Sequence, residues 1–210
     1  MKRIVNTFKA TLVSRGYLDM VELLILKGAD PHSRTGGAPQ KTPLQLAGCG
    51  GHLAVMDELV KKGMNWKQKD DWGWTILHEV AAAGDARGIK WVSCHCSGLV
   101  NMKDKLGRTP LLTALMAGAP EDAVNELLEY GEDPGMEDDV GRSCPEAAVL
   151  YCSAAVVKLV IDACIKKNRS IEADEMGEDL IEIDKEKLLK VGEDHPEPGL
   201  LKDALNKLEH

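Results

Sequence analysis

Thr42 to Gly63 reads TPLQLAGCGGHLAVMDELVKKG, and it has the grammar of two short antiparallel helices. Thr42 is an N-cap, and Pro43 takes the first helical position, where a missing N–H costs nothing. Leu44, Leu46 and Ala47 begin the first helix, and Gly50-Gly51 ends it because glycine enters the left-handed region without a Cβ clash. Val55, Met56, Leu59 and Val60 then lie at i, i+1, i+4 and i+5, one apolar stripe on a second helix that Gly63 closes. A pair this small cannot bury its apolar face alone and needs neighbours of the same kind.

The neighbours recur in register. Thr75-Ile76-Leu77-His78 follows Thr42 by 33 residues, Thr109-Pro110-Leu111 by a further 34, and Ser143-Cys144-Pro145 by another 34. Each is preceded by a Gly (Gly73, Gly107, Gly141), with an Asp three residues earlier at Asp70, Asp104 and Asp138. Upstream, Gly16-Tyr17 through Gly28-Ala29-Asp30 matches the second helix and its exit. Cap, proline, leucine, small residue and glycine recurring at this period resemble the ankyrin repeat, D-x-x-G-x-T-P-L-H-x-A.

The resemblance covers about residues 4–168 and implies an all-α solenoid of helix-turn-helix units with hairpin fingers. The units fall at about 4–40, 41–73, 74–107, 108–141 and 142–168. The first helix of unit one, around Val5 to Val13, lacks Thr-Pro-Leu and carries Lys9 where Leu is expected, so it reads as an N-terminal cap. Residues 169–207 are expected to form a helical, acidic C-terminal cap, and Leu208-Glu209-His210 reads as a tag remnant.

In a repeat array stability comes from neighbour-to-neighbour interfaces, so 210 residues need no single central core. The formal charge of −8 argues against nucleic acid. It is concentrated in residues 169–210, with 13 acidic and 6 basic side chains, leaving about −1 for the array. Met1-Lys2-Arg3 opens no secretory signal, and the run Met20 to Leu26 is far too short to span a bilayer. Six cysteines without a secretory signal point to free thiols and to the cytoplasm or nucleus.

Four stretches depart from the pattern. Gly28 to Thr42 spans 14 residues, against 12 from Gly63 to Thr75, so the first finger is two residues longer and is expected to be mobile. The second helix of unit three, about Ala86 to Cys94, runs into Cys94-His95-Cys96 where a Gly exit is expected. In unit five, Ser143 and Glu146 form a capping-box pair. In the tail, Ile171 to Asp179 reads as irregular, Asp184 to Val191 as a short helix stopped at Gly192, and Leu200, Leu201, Ala204, Leu205 and Leu208 as an apolar stripe. That stripe suits a cap over the end of the array; the alternative is an acidic arm that folds back as a lid or binds a basic partner.

Chemistry is sparse. Cys94-His95-Cys96 lacks the spacing of a structural zinc site and has no second ligand pair, so a metal or redox role there is the minor reading. His78 stands at the histidine that, by the resemblance, bridges neighbouring units through hydrogen bonds. No nucleophile, metal motif or phosphate loop accompanies it, so no catalysis, cofactor or metal is expected. The resemblance implies instead a monomeric adaptor or scaffold that binds a protein partner, with no membrane or nucleic-acid role. A regulatory subunit for an enzyme on another chain is the remaining possibility.

The binding surface is expected along the fingers. Three residues before each cap stand Pro39, Trp72, Leu106 and Val140, and just before each cap Lys41, Trp74, Arg108 and Arg142. An apolar row therefore runs beside a largely basic one, with Trp72, Trp74, Leu106, Arg108, Val140 and Arg142 as candidate contacts. Trp66 sits where residues pack between units and is set aside. Glu79, Ala83 and Thr113 are the candidates on the concave face of the first helices.

Overall fold

A computed structural model describes residues 10–30, 32–36, 39–174, 184–192 and 195–206. Among these residues the chain is helical and contains no strand. Residues 10–14 are helical and lead to α1 (Leu18–Leu26). Four helix pairs follow: α2 (Pro43–Cys49) with α3 (Leu53–Lys61), α4 (Ile76–Ala82) with α5 (Ala86–His95), α6 (Pro110–Met116) with α7 (Glu121–Glu129), and α8 (Cys144–Tyr151) with α9 (Ala154–Asp174). The tail forms α10 (Lys185–Val191) and α11 (Pro198–Asn206).

The caps do what the spacing predicts. Thr42 accepts from Gln45 N–H (3.2 Å), Thr109 from Leu112 N–H (3.2 Å) and Ser143 from Glu146 N–H (3.4 Å). The Gln45 side chain returns the bond to Thr42 N–H at 2.8 Å, which completes a capping box. At Thr75 the partner is His78. Its Nε2 faces the Arg108 carbonyl at 3.2 Å, which can only accept, so Nε2 carries the proton. Its Nδ1 is left to accept from Thr75 N–H at 3.2 Å. His78 thus caps its own helix and ties unit three to unit four.

First helices stack on first helices (α2 on α4, α4 on α6, α6 on α8), while α5 stacks on α7 and α7 on α9. The core lies between the two layers, with Leu44, Met56, Ile76, Leu77, Leu111, Leu112 and Ile161 buried. Trp91 joins the outer helices of units two and three by donating Nε1–H to Asp57 at 2.8 Å. Trp66 packs on Trp91, the ring centres 6.1 Å apart, in the inter-unit place the sequence suggests.

Two departures have local causes. Unit five was expected to end at about residue 168, with irregular chain from Ile171 to Asp179, but α9 runs on to Asp174. Gly28, Gly63 and Gly131 end their helices at φ of +81°, +82° and +88°; at the corresponding place unit five has Cys164, with no glycine before Gly177. Residues 175–179 of the expected irregular stretch lie outside the described residues. Unit three also lacks the exit glycine, and there a 3-10 turn, Ser97–Leu99, and Asn101 at φ +61° reverse the chain. Asn101 then clamps unit four: its Oδ1 accepts from Asp133 N–H (2.7 Å) and its Nδ2–H donates to the Gly131 carbonyl (3.1 Å).

The tail packs as a helix pair in the register of a further unit, α10 against α8 and α11 against α9. Leu188 and Leu205 are buried there; Leu208 lies outside the described residues. Two polar contacts seat it. His195 donates Nε2–H to the Cys152 carbonyl at 3.0 Å, as His52 does to the Ser14 carbonyl at 2.9 Å between units one and two. The Glu197 carboxylate accepts from Ala154 N–H at 3.1 Å, capping α9 from outside its own unit. Replacing Glu197→Ala should cost about 1 kcal/mol, and Leu205→Ala about 2–5 kcal/mol, in urea denaturation. An undocked tail would leave both variants as stable as the parent.

Two buried groups set opposite pH dependences. Burial lowers His78 from 6.5 to about 4. The unfolded chain therefore takes up a proton that the native site refuses, and stability falls as pH drops from 6.5 towards 4. Burial raises Glu132 from 4.5 to about 8, although Asn101 N–H donates to its Oε1 at 3.3 Å. Its stabilisation is present below 4.5 and is lost as pH rises through 8. The slopes oppose each other between 4.5 and 6.5, and Glu132 acts alone from 6.5 to 8. Melting against pH should show a plateau and then a decline above 6.5, and Glu132→Gln should flatten that decline by about 2 kcal/mol.

Candidate interaction surface

Three of the fingers are tight turns, each closed by one carboxylate. Asp70 Oδ1 accepts from Trp72 N–H (2.9 Å) and Trp74 N–H (2.8 Å). Asp104 Oδ1 does the same for Leu106 and Arg108 (2.8 and 2.9 Å), and Asp138 Oδ1 for Val140 and Arg142 (3.0 and 2.8 Å). All three carboxylates are buried, and short polar side chains that bond their own downstream amides are the usual makers of such turns. The first finger has Gly37 at the corresponding place. Thr35, two residues earlier, closes it instead: its Oγ1 accepts from Lys41 N–H (2.9 Å) and its N–H donates to the Lys41 carbonyl (3.0 Å). The two extra residues are accommodated inside this wider turn. Gly37 and Ala38, within the stretch expected to be mobile, lie outside the described residues.

The fingers are also bonded to one another. Lys105 N–H donates to the Trp72 carbonyl and Asp139 N–H to the Leu106 carbonyl, both at 3.0 Å. Lys69 Nζ reaches the Lys103 carbonyl (2.9 Å), and Lys103 Nζ the Glu137 carbonyl (2.8 Å). Close approach at these joints needs glycine. A Cβ at Gly107, whose φ is +74°, would come within 2.7 Å of Asp139 N.

On this ladder the expected apolar row divides into displayed and supporting residues. Trp72 is 50% exposed, Leu106 57% and Val140 79%. Trp74 is half-buried behind them. It donates Nε1–H to Asp104 Oδ2 (3.0 Å), stacks on His78 (ring centres 6.2 Å) and packs edge-to-face with Trp72 (5.9 Å). Lys41 and Arg108 sit over its ring at 5.9 and 5.8 Å.

Arg108 is a structural residue as much as a surface one. Its guanidinium pairs with Asp104 Oδ2 at 2.7–2.8 Å. Burial pushes the Asp104 carboxyl up, but Arg108 and the two backbone N–H groups outweigh it and hold the group below the usual carboxylate range. Arg142, half-buried, reaches the Met116 sulfur at 3.4 Å. Of the three first-helix candidates only Ala83 is exposed; Glu79 and Thr113 are buried. Lys41 lies over Glu79 at 2.7 Å and opposes the upward push that burial gives its carboxyl.

The Cys94-His95-Cys96 stretch does not converge. Cys94 Sγ meets Tyr130 Oη of unit four at 3.0 Å, a bond that holds the exposed phenol up at about 12. His95 stacks on Trp91 (4.5 Å) and donates Nδ1–H to its carbonyl (2.6 Å), while Cys96 is buried. Among the described residues no group of three or more His, Cys, Asp or Glu side chains could hold a metal ion. No helix among them is long and apolar enough to cross a membrane.

Comparison with known proteins fits this architecture. Residues 10–99 match the family model for ankyrin repeats in three copies. The chain is 34% identical over 100 residues to the 26S proteasome non-ATPase regulatory subunit 10 of Dictyostelium discoideum, covering 48% of this chain and 43% of that one. It is 33% identical over 104 residues to the NF-kappa-B inhibitor delta of Mus musculus, covering 47% and 30%. It is 28% identical over 136 residues to the probable 26S proteasome regulatory subunit p28 of Saccharomyces cerevisiae, covering 65% and 60%. The chain thus spans less than two thirds of each relative's length. With the family match and the stacked helix pairs in agreement, residues 10–99 are ankyrin repeats, and the helix pairs that follow continue their stacking.

Proposed function

We propose that this chain is a protein-binding adaptor or scaffold that takes its partner along the finger row, without catalysis or a cofactor. Ankyrin repeats are in general protein-interaction modules. The observation that carries the reading for this chain is the exposure of Trp72, Leu106 and Val140 at equivalent places on three hydrogen-bonded fingers. A surface fixed before binding loses little entropy when it is occupied, and aromatic side chains are frequent interface hot spots. Trp74, Arg108 and Arg142 support the row from behind and contribute their outer edges. Ala83 extends the surface towards the first helices, whereas Glu79 and Thr113 shape it from beneath.

Two of the relatives are named as regulatory subunits of the 26S proteasome and one as an inhibitor of NF-kappa-B. Those names support regulation of a partner on another chain as the use of such binding. A monomer in the cytoplasm or nucleus agrees with six free thiols and a formal charge of −8.

Substituting Trp72→Ala or Leu106→Ala should weaken partner binding by about 1–2 kcal/mol each and leave melting unchanged. The readout is affinity capture from the native source, parent bait against variant, with captured proteins quantified by mass spectrometry. Arg108→Ala is the contrasting case: it uncovers the buried Asp104 carboxylate and should lower melting as well as binding. Equal capture by parent and by the Trp72→Ala/Leu106→Ala double variant would place the partner elsewhere.

A further inference from the structure

We infer that the occupant of the finger row is an acidic segment in the polyproline-II conformation, with an apolar side chain at every third position. This deepens the finger-row reading and rests on it. The first ground is pitch. The backbone joints from Trp72 to Lys105 and from Leu106 to Asp139 let successive displayed residues stand at most about 11 Å apart. Packed helices, which set the spacing of the units, lie about 8–10 Å apart. A polyproline-II chain returns to the same face every three residues, about 9.3 Å. A β-strand returns every two residues, about 6.7 Å, and falls out of step after one finger.

The second ground is the separation of the contacts. Exposed charged residues (Asp71, Lys105 and Asp139) directly precede Trp72, Leu106 and Val140, so each finger offers one apolar contact with charge beside it. An amphipathic helix lays down a continuous apolar stripe and is poorly served by isolated contacts. An extended chain with one apolar residue per turn matches them. Trp72, half-exposed and packed edge-to-face with Trp74, provides the aromatic surface on which such chains dock.

The third ground is charge. Lys67, at the base of the Trp72 finger with its ammonium beside Gly98, and Lys103 and Lys105 on the Leu106 finger are exposed, while Asp70 and Asp104 are buried and turned towards backbone amides. Asp71 is the exposed carboxylate among them, and it already accepts from Gln40 N–H at 3.0 Å. On the Val140 finger the sign reverses, with Glu137 and Asp139 exposed. Lys105 packs beside Gly73 and so stands between the two contacts; the segment's acidic residues therefore belong beside Trp72 and Leu106, which fixes its direction along the row.

The test uses fluorescein-labelled synthetic peptides of equal length on the full chain, read by fluorescence polarisation. One repeats Leu-Glu-Pro, one Leu-Lys-Pro, one alternates Leu and Glu, and one is a helix with Leu at heptad spacing and Glu elsewhere. The Leu-Glu-Pro peptide should bind about tenfold tighter than the other three and weaken as salt rises. Lys67→Glu/Lys105→Glu should lower its affinity by about tenfold, while Asp139→Lys should raise it. Both variants change exposed side chains, and unchanged melting checks their folds. No binding by Leu-Glu-Pro, equal binding by the lysine, alternating or heptad peptide, or indifference to Lys67→Glu/Lys105→Glu overturns the inference. Capture that still depends on Trp72 and Leu106 would then leave the finger-row reading standing, whereas capture indifferent to them would remove both.

Discussion

A buried carboxylate that accepts two backbone N–H groups is the constraint on which the displayed surface depends. Asp70, Asp104 and Asp138 each spend one oxygen in this way, and the turn they close sets where Trp72, Leu106 and Val140 stand. Ionised acceptors make stronger bonds than neutral ones, and burial makes each bond count for more. The second oxygen is used differently in each finger. At Asp104 it takes the Arg108 guanidinium and the Trp74 indole, so one carboxylate serves two neighbouring units. Asp70 Oδ2 is buried with no hydrogen-bond partner among the described residues.

From that constraint the finger residues divide into two kinds. Those just before each cap (Lys41, Trp74, Arg108) turn along the array and cover buried groups: Lys41 covers Glu79, and Arg108 covers Asp104. Those three before the cap, Trp72, Leu106 and Val140, stand exposed on the turn, Trp72 with its ring against Trp74. Support and display thus alternate at a two-residue interval within every turn. A substitution at a supporting position alters stability and binding together, while one at a display position alters binding alone.

The fold was legible because helix caps are local chemistry. Thr42, Thr75, Thr109 and Ser143 sit directly before the helices they begin, and a threonine-proline pair has few other uses. Exposure of Trp72, Leu106 and Val140 followed from their place in the period. What the period could not show was reach. Arg108 and Trp74 looked like free anchors because their partner, Asp104, is four residues from one and thirty from the other. Glu79 was assigned to an open face, but Lys41 of the preceding unit closes over it. Thr35 was missed because it closes the first finger at a spacing found in no other unit. In the tail the short helix from Asp184 to Val191 and the apolar stripe with Leu205 were legible, whereas the polar seats His195 and Glu197 were not, because the groups they bond, the Cys152 carbonyl and the Ala154 N–H, lie 43 residues away.

Amide hydrogen exchange followed by NMR tests the rigidity of the fingers most directly. The amides of Trp72, Trp74, Leu106, Arg108, Val140 and Arg142, and those of Lys105 and Asp139 at the joints, lie in turns. Exposed turns ordinarily exchange at rates close to the unfolded chain. Protection of these eight amides comparable to that in α4 and α6 is the expected result. Exchange at unprotected rates, with the helices still protected, would show that the fingers open freely and that the row is not set before a partner arrives.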